Sequence, residues 1–556
     1  RYHKARAGEE LRRCLACGRH STVSVTMRFQ SGSEAPVSVI ATSLYQSLPP
    51  APQPDRRALA GGRKLLMFSD SRQDAAFFAP YLQRTYMRAI ERRCIWAVLG
   101  ADDEPFRLED LVQPVRRYAE KAGVLDEDDG RANASKVRTW LLAEVLATDR
   151  RQSLDGLGLA EISPRIPARL DPPSALARLG LSDDEALDLT RLLLDTVRVS
   201  AAVGVPDDVN VREDLRFAPR NTTTRLREQG AEQGVLAWLP GRGLNRRLDL
   251  VQKVAGARGV DVDPVAVLGD LWREITHPDS PLASVLRAQD EPRRGTVYRL
   301  DPEQIEFAAN RPGHRPFRCD RCHQLWWRSV AGVCPTYRCD GRLHPEEEPS
   351  PNHYRALYEK LEPIPIRVEE HTGQLRTKHA TDLQGQFVRG EVNALSCSTT
   401  FELGVDVGEV QAVLMRNVPP SAANYVQRAG RAGRRLGSAA LVVTFAQRRS
   451  HDLHFFENPA AMVDGHVRPP IAVVDNEAIA RRHVHAVAWS MFERRRADVG
   501  QPETKSVEQL VGGGGGVLHP QGARRDALAA RGPAGPDPQL GERLDAHDDR
   551  AQHVLR

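Results

Sequence analysis

Apolar runs separated by polar turns predict a parallel α/β domain that begins near residue 64. Residues 64–69 (KLLMFS) form a short apolar run, and residues 70–73 form a polar turn. A helical apolar period then continues through Arg88. A buried strand, a polar turn and an amphipathic helix in this order are the opening unit of a parallel sheet. Residues 58–99 are therefore predicted to be the first part of this domain.

The same alternation resumes after residue 363 and continues to about residue 450. The strand-like runs are 364–370, 392–396, 410–415 and 439–445. Helical segments lie between them at 376–389 and around Gln427. We therefore predict one α/β domain that is split in the sequence, with its first strand near residue 64 and its remainder within 351–457.

Residues 100–310, between the two parts, show no dominant β pattern and are predicted to be a mainly helical insertion. Segments 136–148 and 183–200 are typical of amphipathic helices, and the loops between them are rich in Pro, Asp and Gly. The acidic run 126–129 (DEDD) superficially resembles a D-E-x-D magnesium motif. Because no strand leads into this run, we interpret it as a solvated acidic loop.

Four cysteines predict a zinc ribbon at 311–350. Their spacing is C-x2-C-x11-C-x4-C, and the residues are Cys319, Cys322, Cys334 and Cys339. Four thiolates within about twenty residues suit a structural Zn²⁺ site whose metal supplies folding energy. Trp326 and Trp327 lie between the pairs and are expected to cover the site. A second pair, Cys14 and Cys17, provides only half of such a site, so metal binding and unligated thiols both remain open there.

Composition narrows the class of protein without naming it. The chain of 556 residues is 41% hydrophobic and 27% charged, which is ordinary for a soluble globular protein. The net charge is only +5, so any nucleic-acid affinity has to come from local patches. No apolar run approaches the roughly 20 residues that span a membrane. Paired cysteines without a secretory signal favour the cytoplasm, and the first residue, Arg1, suggests a fragment that begins within a longer protein.

The stretch 396–445 carries the most specific chemistry. Residues 399–406 read TTFELGVD, and residues 427–434 read QRAGRAGR. Arg428, Arg431 and Arg434 are three positions apart, so they are predicted to lie close to one face of a helix. Guanidinium groups beside glycines suit the recognition of phosphate oxygens.

These two motifs, in this order and about twenty residues apart, resemble motifs V and VI of superfamily 2 DEAD/DEAH-box helicases. Residues 371–375 (HTGQL) resemble motif IVa, and the strand and turn near residue 70 resemble motif IV. The cysteine-rich insertion and the stretch 416–425 (RNVPPSAANY) are similar to large bacterial DNA helicases of the repair or defence type. The resemblance covers roughly 60–90 and 360–490, and it implies a RecA-like helicase C-terminal domain.

The resemblance also implies roles for individual residues. ATP and Mg²⁺ would bind between a first RecA-like domain and this second one. Arg431 and Arg434 would act as arginine fingers, and Gln427 and Arg428 would couple the cleft to the first domain. Asp406 would contact the nucleotide ribose or the finger arginines, and Gly404 would belong to the same ATP-binding set. The residues expected to contact phosphates of one nucleic-acid strand, with DNA favoured over RNA, are His371, Gly373, Thr399 and Thr400.

The sequence lacks a G-x-x-x-x-G-K-[ST] loop and a strand that ends in a D-E-x-[HD] box. The first RecA-like domain is therefore expected upstream or in trans, and the chain alone is expected not to hydrolyse ATP. Outside the domains already described, residues 1–57 are predicted to hold the Cys14 knuckle and a linker, and 458–510 a C-terminal extension. Residues 511–556 open on five glycines and continue without a core-forming pattern, which favours a shifted reading frame over a natural disordered tail.

Two other functional classes compete with a helicase half. One is a non-catalytic module that binds nucleic acid or a partner ATPase and carries a structural zinc ribbon. The other is a zinc-ribbon interaction protein whose α/β part is only a scaffold. The row of three arginines argues against the second, because a scaffold does not need it.

Overall fold

The computed structural model describes residues 34–146, 150–167, 169–209, 222–227, 234–292, 294–347, 352–399, 408, 410–433, 440–465 and 476–500. Two compact units divide the chain, Arg1–Val467 and Arg468–Arg556. Cys14 and Cys17 and the tail 511–556 lie outside the described residues, so the predictions made for them stay predictions.

The first elements are helix α1 (Glu34–Ser47), strand β1 (Leu65–Phe68) and helix α2 (Arg72–Leu99). All four residues of β1 are buried. The Ser71 hydroxyl caps α2 by accepting a hydrogen bond from the Asp74 N–H at 3.2 Å. The helix runs eleven residues beyond the predicted end at Arg88, because buried apolar residues continue along it as far as Leu99.

The insertion is mainly helical, as predicted, but it also holds two small sheets that the sequence did not reveal. Its elements are β2 (Phe106–Arg107), α3 (Leu108–Lys121), α4 (Gly130–Val145), β3 (Ala160–Pro164), α5 (Asp183–Arg198), β4 (Thr223–Arg225), β5 (Val235–Ala237), α6 (Arg246–Arg258), α7 (Pro264–Ile275), β6 (Leu286–Glu291), β7 (Gly295–Leu300) and β8 (Ile305–Ala309). The strand orders are β2-β8-β3 and β5-β4-β7-β6. The acidic run 126–129 lies in a loop, and Asp129 caps α4 through the Ala132 N–H.

Three short antiparallel strands form the cysteine ribbon. They are β9 (Phe317–Cys319), β10 (Leu325–Trp326) and β11 (Leu343–Pro345), in the order β10-β9-β11. Polar contacts fix this ribbon to the insertion. The Trp327 indole N–H donates to Asp155 Oδ1 at 2.9 Å, and the Arg328 guanidinium lies 2.9 Å from Glu161.

The remaining elements of the first unit complete the α/β domain. They are α8 (His353–Lys360), β12 (Val368–His371), α9 (Thr377–Arg389), β13 (Ala394–Cys397), β14 (Ala412–Met415), α10 (Ala422–Ala429), β15 (Leu441–Thr444), α11 (Ser450–Glu457) and α12 (Ala460–Val463). The five-stranded sheet is parallel throughout, in the order β12-β13-β1-β14-β15. This order confirms the split domain, since β1 pairs on both sides with strands that lie beyond the insertion.

Alternate side chains of β1 point into two different cores, as the pleat of a strand requires. Leu65 and Met67 belong to the large core shared with α2 and the insertion. Leu66 and Phe68 pack with α9 on the opposite face of the sheet. The second unit contributes helix α13 (Glu477–Asp498). None of the helices among the described residues has the length and apolar character to cross a membrane.

Glu161 provides a pH-dependent test of how the ribbon is attached. Burial alone would raise the pKa of Glu161, but the His314 ring and the Arg328 charge outweigh burial and lower it from 4.5 to about 2. Because its pKa is lower in the folded state than in the unfolded state, ionised Glu161 stabilises the fold at pH values above 4.5. This contribution is lost as the pH falls from about 4.5 towards 2. The pKa difference corresponds to about 3 kcal/mol.

We therefore expect Glu161→Gln to lower the free energy of unfolding at pH 7 by about 3 kcal/mol, and the difference from the wild type to shrink as the pH falls below 4.5. Urea unfolding at pH 7, 5 and 4 measures both quantities. Glu306→Gln is the control, because its ion pair with Arg165 is about one-third exposed. A difference that does not depend on pH would contradict the assignment.

Candidate functional site

The carboxyl ends of the five strands meet along one edge of the sheet. His371, Cys397, Phe68, Met415 and Thr444 occupy the same register across the sheet. Ligands of open parallel sheets bind outside this edge. Of the predicted site residues that the structure describes, Gly373 and Thr399 lie in the loops after β12 and β13. Gln427 and Arg428 lie on α10, and Arg431 follows this helix.

A buried ion pair fixes helix α10 to this edge. The Arg428 side chain is fully buried, and its guanidinium donates to Asp70 Oδ1 at 2.5 Å. The guanidinium also lies 5.7 Å from the centroid of the Phe68 ring. Asn417 holds the same aspartate from the other side, because its amide donates to Asp70 Oδ2 and its oxygen accepts the Asp70 backbone N–H at 3.2 Å. Arg428 is thus an anchor between α10, β1 and the loop after β14.

The arginines do not share one helical face, and that prediction is wrong for Arg431. Helix α10 ends at Ala429, and Arg431 lies in the turn that follows. Ala432 then bridges to Val410. Gly433 has a φ of +67°, and a Cβ there would lie 2.5 Å from the Ala440 Cβ, so only glycine fits. The chain thus leaves the helix at Gly430, and Gly433 occupies a tight turn beyond it.

Arg431 is 7% exposed, and the next residue, Ala432, pairs with Val410, which precedes β14. Burial raises the pKa of the Cys397 thiol at the end of β13 well above its usual value, and the positive charge of Arg431 opposes this rise. Gln427 is exposed on α10. Three further predicted residues of the nucleotide side, Gly404, Asp406 and Arg434, lie outside the described residues, as does Thr400.

The predicted strand-contacting residues separate into surface and buried groups. Gly373 is exposed in the turn after β12, and Thr399 is half-buried after β13. His371 is 8% exposed, and its Nε2 lies 3.0 Å from the Gln384 amide nitrogen. Burial lowers the pKa of His371, so its ring is neutral near pH 7. His371 is therefore placed to orient the loop that carries Gly373.

Arg416 and Asp452 also shape this edge, and sequence reasoning missed both. The Arg416 guanidinium lies 4.0 Å from the centroid of the Phe78 ring and donates to the Asp74 carbonyl at 2.6 Å. Asp452 accepts the Val418 and Gln447 backbone N–H groups at 3.1 and 2.9 Å, which ties the loops after β14 and β15 together. For Arg416, the one available signal was a charged residue directly after a buried strand.

The four ribbon cysteines converge as their spacing predicts. All four Sγ atoms lie within 4.8 Å of one another. Two of the sulfur separations are 3.8 Å (Cys319 to Cys339) and 3.6 Å (Cys322 to Cys334). Sulfurs around one tetrahedral ion with metal–sulfur bonds of about 2.3 Å would be about 3.8 Å apart. The cluster therefore has the size of a tetrahedral metal site.

The surroundings of the cluster also suit thiolates. The Arg321 and Cys322 backbone N–H groups both point at Cys319 Sγ, at 3.4 Å. The hydrogen bond between Cys334 and Cys322 lowers the pKa of Cys322, while the same bond and burial raise the pKa of Cys334. A Cβ at Gly341 would lie 2.4 Å from Cys319 Sγ, so only glycine is accommodated there. Trp326 packs against the cluster as predicted, whereas Trp327 points instead to Asp155 in the insertion.

Comparison with known proteins identifies the domain at this edge. Residues 351–435 match the family model described as "Helicase conserved C-terminal domain". This segment is similar to the C-terminal domain of superfamily 2 helicases. It contains β12, β13, β14 and α10, which are the elements that carry the predicted site.

Two curated relatives and one solved structure illustrate the similarity. The Druantia protein DruE of Escherichia coli is 47% identical over 141 residues, which are 23% of this chain and 8% of that protein. The ATP-dependent helicase Lhr-Core of Methanocaldococcus jannaschii is 33% identical over 81 residues, 14% of this chain and 10% of that protein. A structure of the DUF1998 helicase MrfA bound to DNA is 27% identical, covers 22% of this chain and 15% of its own, and has a TM-score of 0.18. The matched segments thus span only a small part of these proteins.

The anchoring role of Arg428 leads to a stability prediction for the helicase domain. Arg428→Ala leaves Asp70 without its guanidinium partner and leaves a hole against Phe68. Loss of one partner of a buried pair costs about 3 kcal/mol, at the lower end of the usual range because Asp70 is 33% exposed. Urea unfolding measures this loss, and Arg448→Ala at an exposed position is the control. Equal unfolding midpoints for the two variants would show that the pair does not anchor α10.

Proposed function

We propose that the chain is the C-terminal portion of an ATP-dependent nucleic-acid helicase or translocase, with DNA as the favoured nucleic acid and the cytoplasm as its compartment. The observation that carries this proposal is the position of Arg431. It follows the anchored helix α10, is largely buried, and lies close enough to Cys397, at the carboxyl edge of the sheet, for its charge to oppose the rise in the pKa of that thiol. Residues 351–435, which include Arg431, match the helicase C-terminal domain model. The names of relatives such as Lhr-Core, an ATP-dependent helicase, support the same class of activity.

In the complete enzyme this edge faces a first RecA-like domain, which lies upstream or in trans. ATP with Mg²⁺ supplies the phosphoryl group and its counter-charge when bound in the cleft between the domains. Arg431 and Arg434 stabilise the negative charge that develops on the transferred group. Gln427 contacts the first domain from the exposed side of α10, while Gly404 and Asp406 border the nucleotide. Arg428 contributes by holding α10 in place.

The strand binds along the neighbouring loops. Thr399 and Thr400 contact phosphates of one strand, and the turn at Gly373 approaches the backbone closely because it has no side chain. His371 sets the position of that turn. Closing and reopening of the two domains during each ATP cycle then moves the enzyme along the strand.

We further propose that the ribbon cysteines bind one Zn²⁺. Four thiolates with tetrahedral spacing favour zinc among common cellular metals. The metal stabilises a segment that has only short strands and a small apolar core of its own.

A second candidate function is a non-catalytic module that binds nucleic acid or a partner ATPase and carries a structural zinc ribbon. It is favoured by the observation that Arg428 and His371, two predicted site residues, are largely buried and make contacts within the fold. Kinetics of the complete enzyme separate the two candidates.

For the complete enzyme, rebuilt with its first domain, we expect Arg434→Lys to reduce ATP turnover about 10³-fold, equivalent to roughly 4 kcal/mol. Lysine keeps the charge but lacks the planar guanidinium, so DNA affinity should change little. Thr400→Ala should do the reverse and weaken DNA binding and DNA stimulation more than basal hydrolysis. Turnover and DNA affinity are measured for each variant. Near-normal turnover of Arg434→Lys would favour the non-catalytic module.

Metal analysis tests the ribbon. The purified chain is expected to contain one equivalent of zinc at the four-cysteine cluster, and the double variant Cys319→Ser, Cys322→Ser should contain one equivalent less. Cys94→Ser is the control, since this buried cysteine lies in the core of the α/β domain. Unchanged zinc content in the double variant would contradict the assignment.

A further inference from the structure

A cleft with a volume of about 300 Å³ opens between the insertion and the cysteine ribbon. Helix α5 and the first residue of α6 form one wall, and the other wall comes from β10 and the loop after Cys334. Its size falls at the lower end of the range for small-molecule sites. The cleft lies on elements distinct from the carboxyl edge of the helicase sheet.

The lining of this cleft is positively charged. Arg150, Arg151 and Arg246 line it, against a single carboxylate, Asp195. That carboxylate is already bound by the Arg198 guanidinium at 2.5 Å. Arg246 is exposed and makes no ion pair with any residue that the structure describes. The Arg150 guanidinium lies 3.7 Å from Asp155, whereas no described carboxylate lies beside the charge of Arg246.

A buried arginine directly behind the wall adds to this positive charge. Arg247 is 3% exposed, and its guanidinium donates to the Trp238 carbonyl at 2.9 Å and to the Thr196 hydroxyl, which lines the cleft, at 2.8 Å. Within the described part of the chain no carboxylate pairs with it. Burial and the neighbouring charge of Arg246 lower the pKa of Arg247 to about 10. A bound anion would relieve both effects.

Aromatic rings from the ribbon lie beside these charges. Trp326 lines the cleft, and the Arg150 guanidinium lies 4.5 Å from the centroid of its ring. Tyr337 also lines the cleft, and its hydroxyl is fixed by donating to the Leu244 carbonyl at 2.7 Å. Aromatic faces next to arginines are the combination that binds a base together with its phosphate.

We propose that this cleft binds one nucleotide, with the base against Trp326 and Tyr337 and the phosphate toward Arg246. This inference rests on the proposed function in one respect: the nucleic-acid strand that enters the cleft is the strand on which the complete enzyme acts. An unpaired nucleotide of a strand and a free mononucleotide share this chemistry, and the experiment distinguishes between them.

The test measures the affinity of the full chain for a fluorescein-labelled 20-residue oligothymidylate by anisotropy in 150 mM salt. We expect Arg246→Glu to weaken binding about tenfold or more, since it reverses a phosphate-contacting charge. Glutamate in the first turn of α6 suits the helix dipole, so the variant should fold. Arg242→Glu is the matched control, because it makes the same charge change four residues earlier, at an exposed position in the loop before α6 that does not line the cleft. It should change affinity less than about twofold.

Thymidine monophosphate is then added as a competitor, and its direct binding is followed by tryptophan fluorescence. A site for a strand is supported if the monophosphate neither binds nor competes while Arg246→Glu lowers the affinity for the oligonucleotide. A site for a free nucleotide is supported if the monophosphate binds and Arg246→Glu abolishes that binding. Equal affinities of Arg246→Glu and Arg242→Glu for both probes, or no binding of either probe, would overturn the inference. Turnover of the rebuilt enzyme tests the proposed function separately, because none of the residues that line this cleft has a proposed role in ATP turnover.

Discussion

The position of strand β1 is the constraint on which the rest of the structure depends. Leu65 to Phe68 pair with β13 on one side and β14 on the other, and both partners lie more than 300 residues later in the chain. The insertion and the ribbon therefore lie, along the chain, between β1 and both of its partner strands. Bringing such distant segments together costs conformational entropy before the contacts between them can form. We therefore expect this domain to fold slowly.

The same constraint creates the site. Asp70 follows β1, and its partners are Asn417 in the loop after β14 and Arg428 on α10, both of which come after the insertion in the chain. The ion pair between Arg428 and Asp70 can form only when these distant segments lie in their correct register in the sheet. It also explains why a residue expected to contact the first domain is fully buried, since its guanidinium links α10 to the central strand.

The sequence predicted the elements whose signal is local. Strands β1, β13 and β14 were found within two residues of their ends because each is a short apolar run between polar turns. The cysteine cluster was found because its spacing alone carries the chemistry. The strands of the insertion were missed because a segment such as Leu286–Glu291 (LRAQDE) shows no apolar alternation. The arginine row was misjudged because its three-residue spacing was assumed to continue in a helix, whereas α10 ends at Ala429.

Contacts between distant segments explain the remaining misses. The pairing of Arg416 with Phe78 and Asp74 depends on the order of strands in the sheet, and no local pattern encodes it. The two loops joined by Asp452 are likewise neighbours only because β14 and β15 are adjacent. Sequence patterns therefore located the site, while the sheet order determined which residues form it.

Helix α2 connects the parallel sheet to the insertion. Its first half packs on β12 and β13, and its second half packs against α3, where Arg92 also binds Glu144 of α4 at 2.5 Å and the Tyr358 hydroxyl of α8 at 3.1 Å. A helix of 28 residues is about 42 Å long. A rotation of the sheet by about 10° would therefore displace the far end of α2 by about 7 Å, if the helix stays rigid. Small changes at the edge of the sheet would then reach the insertion as large movements, without any hinge between the two.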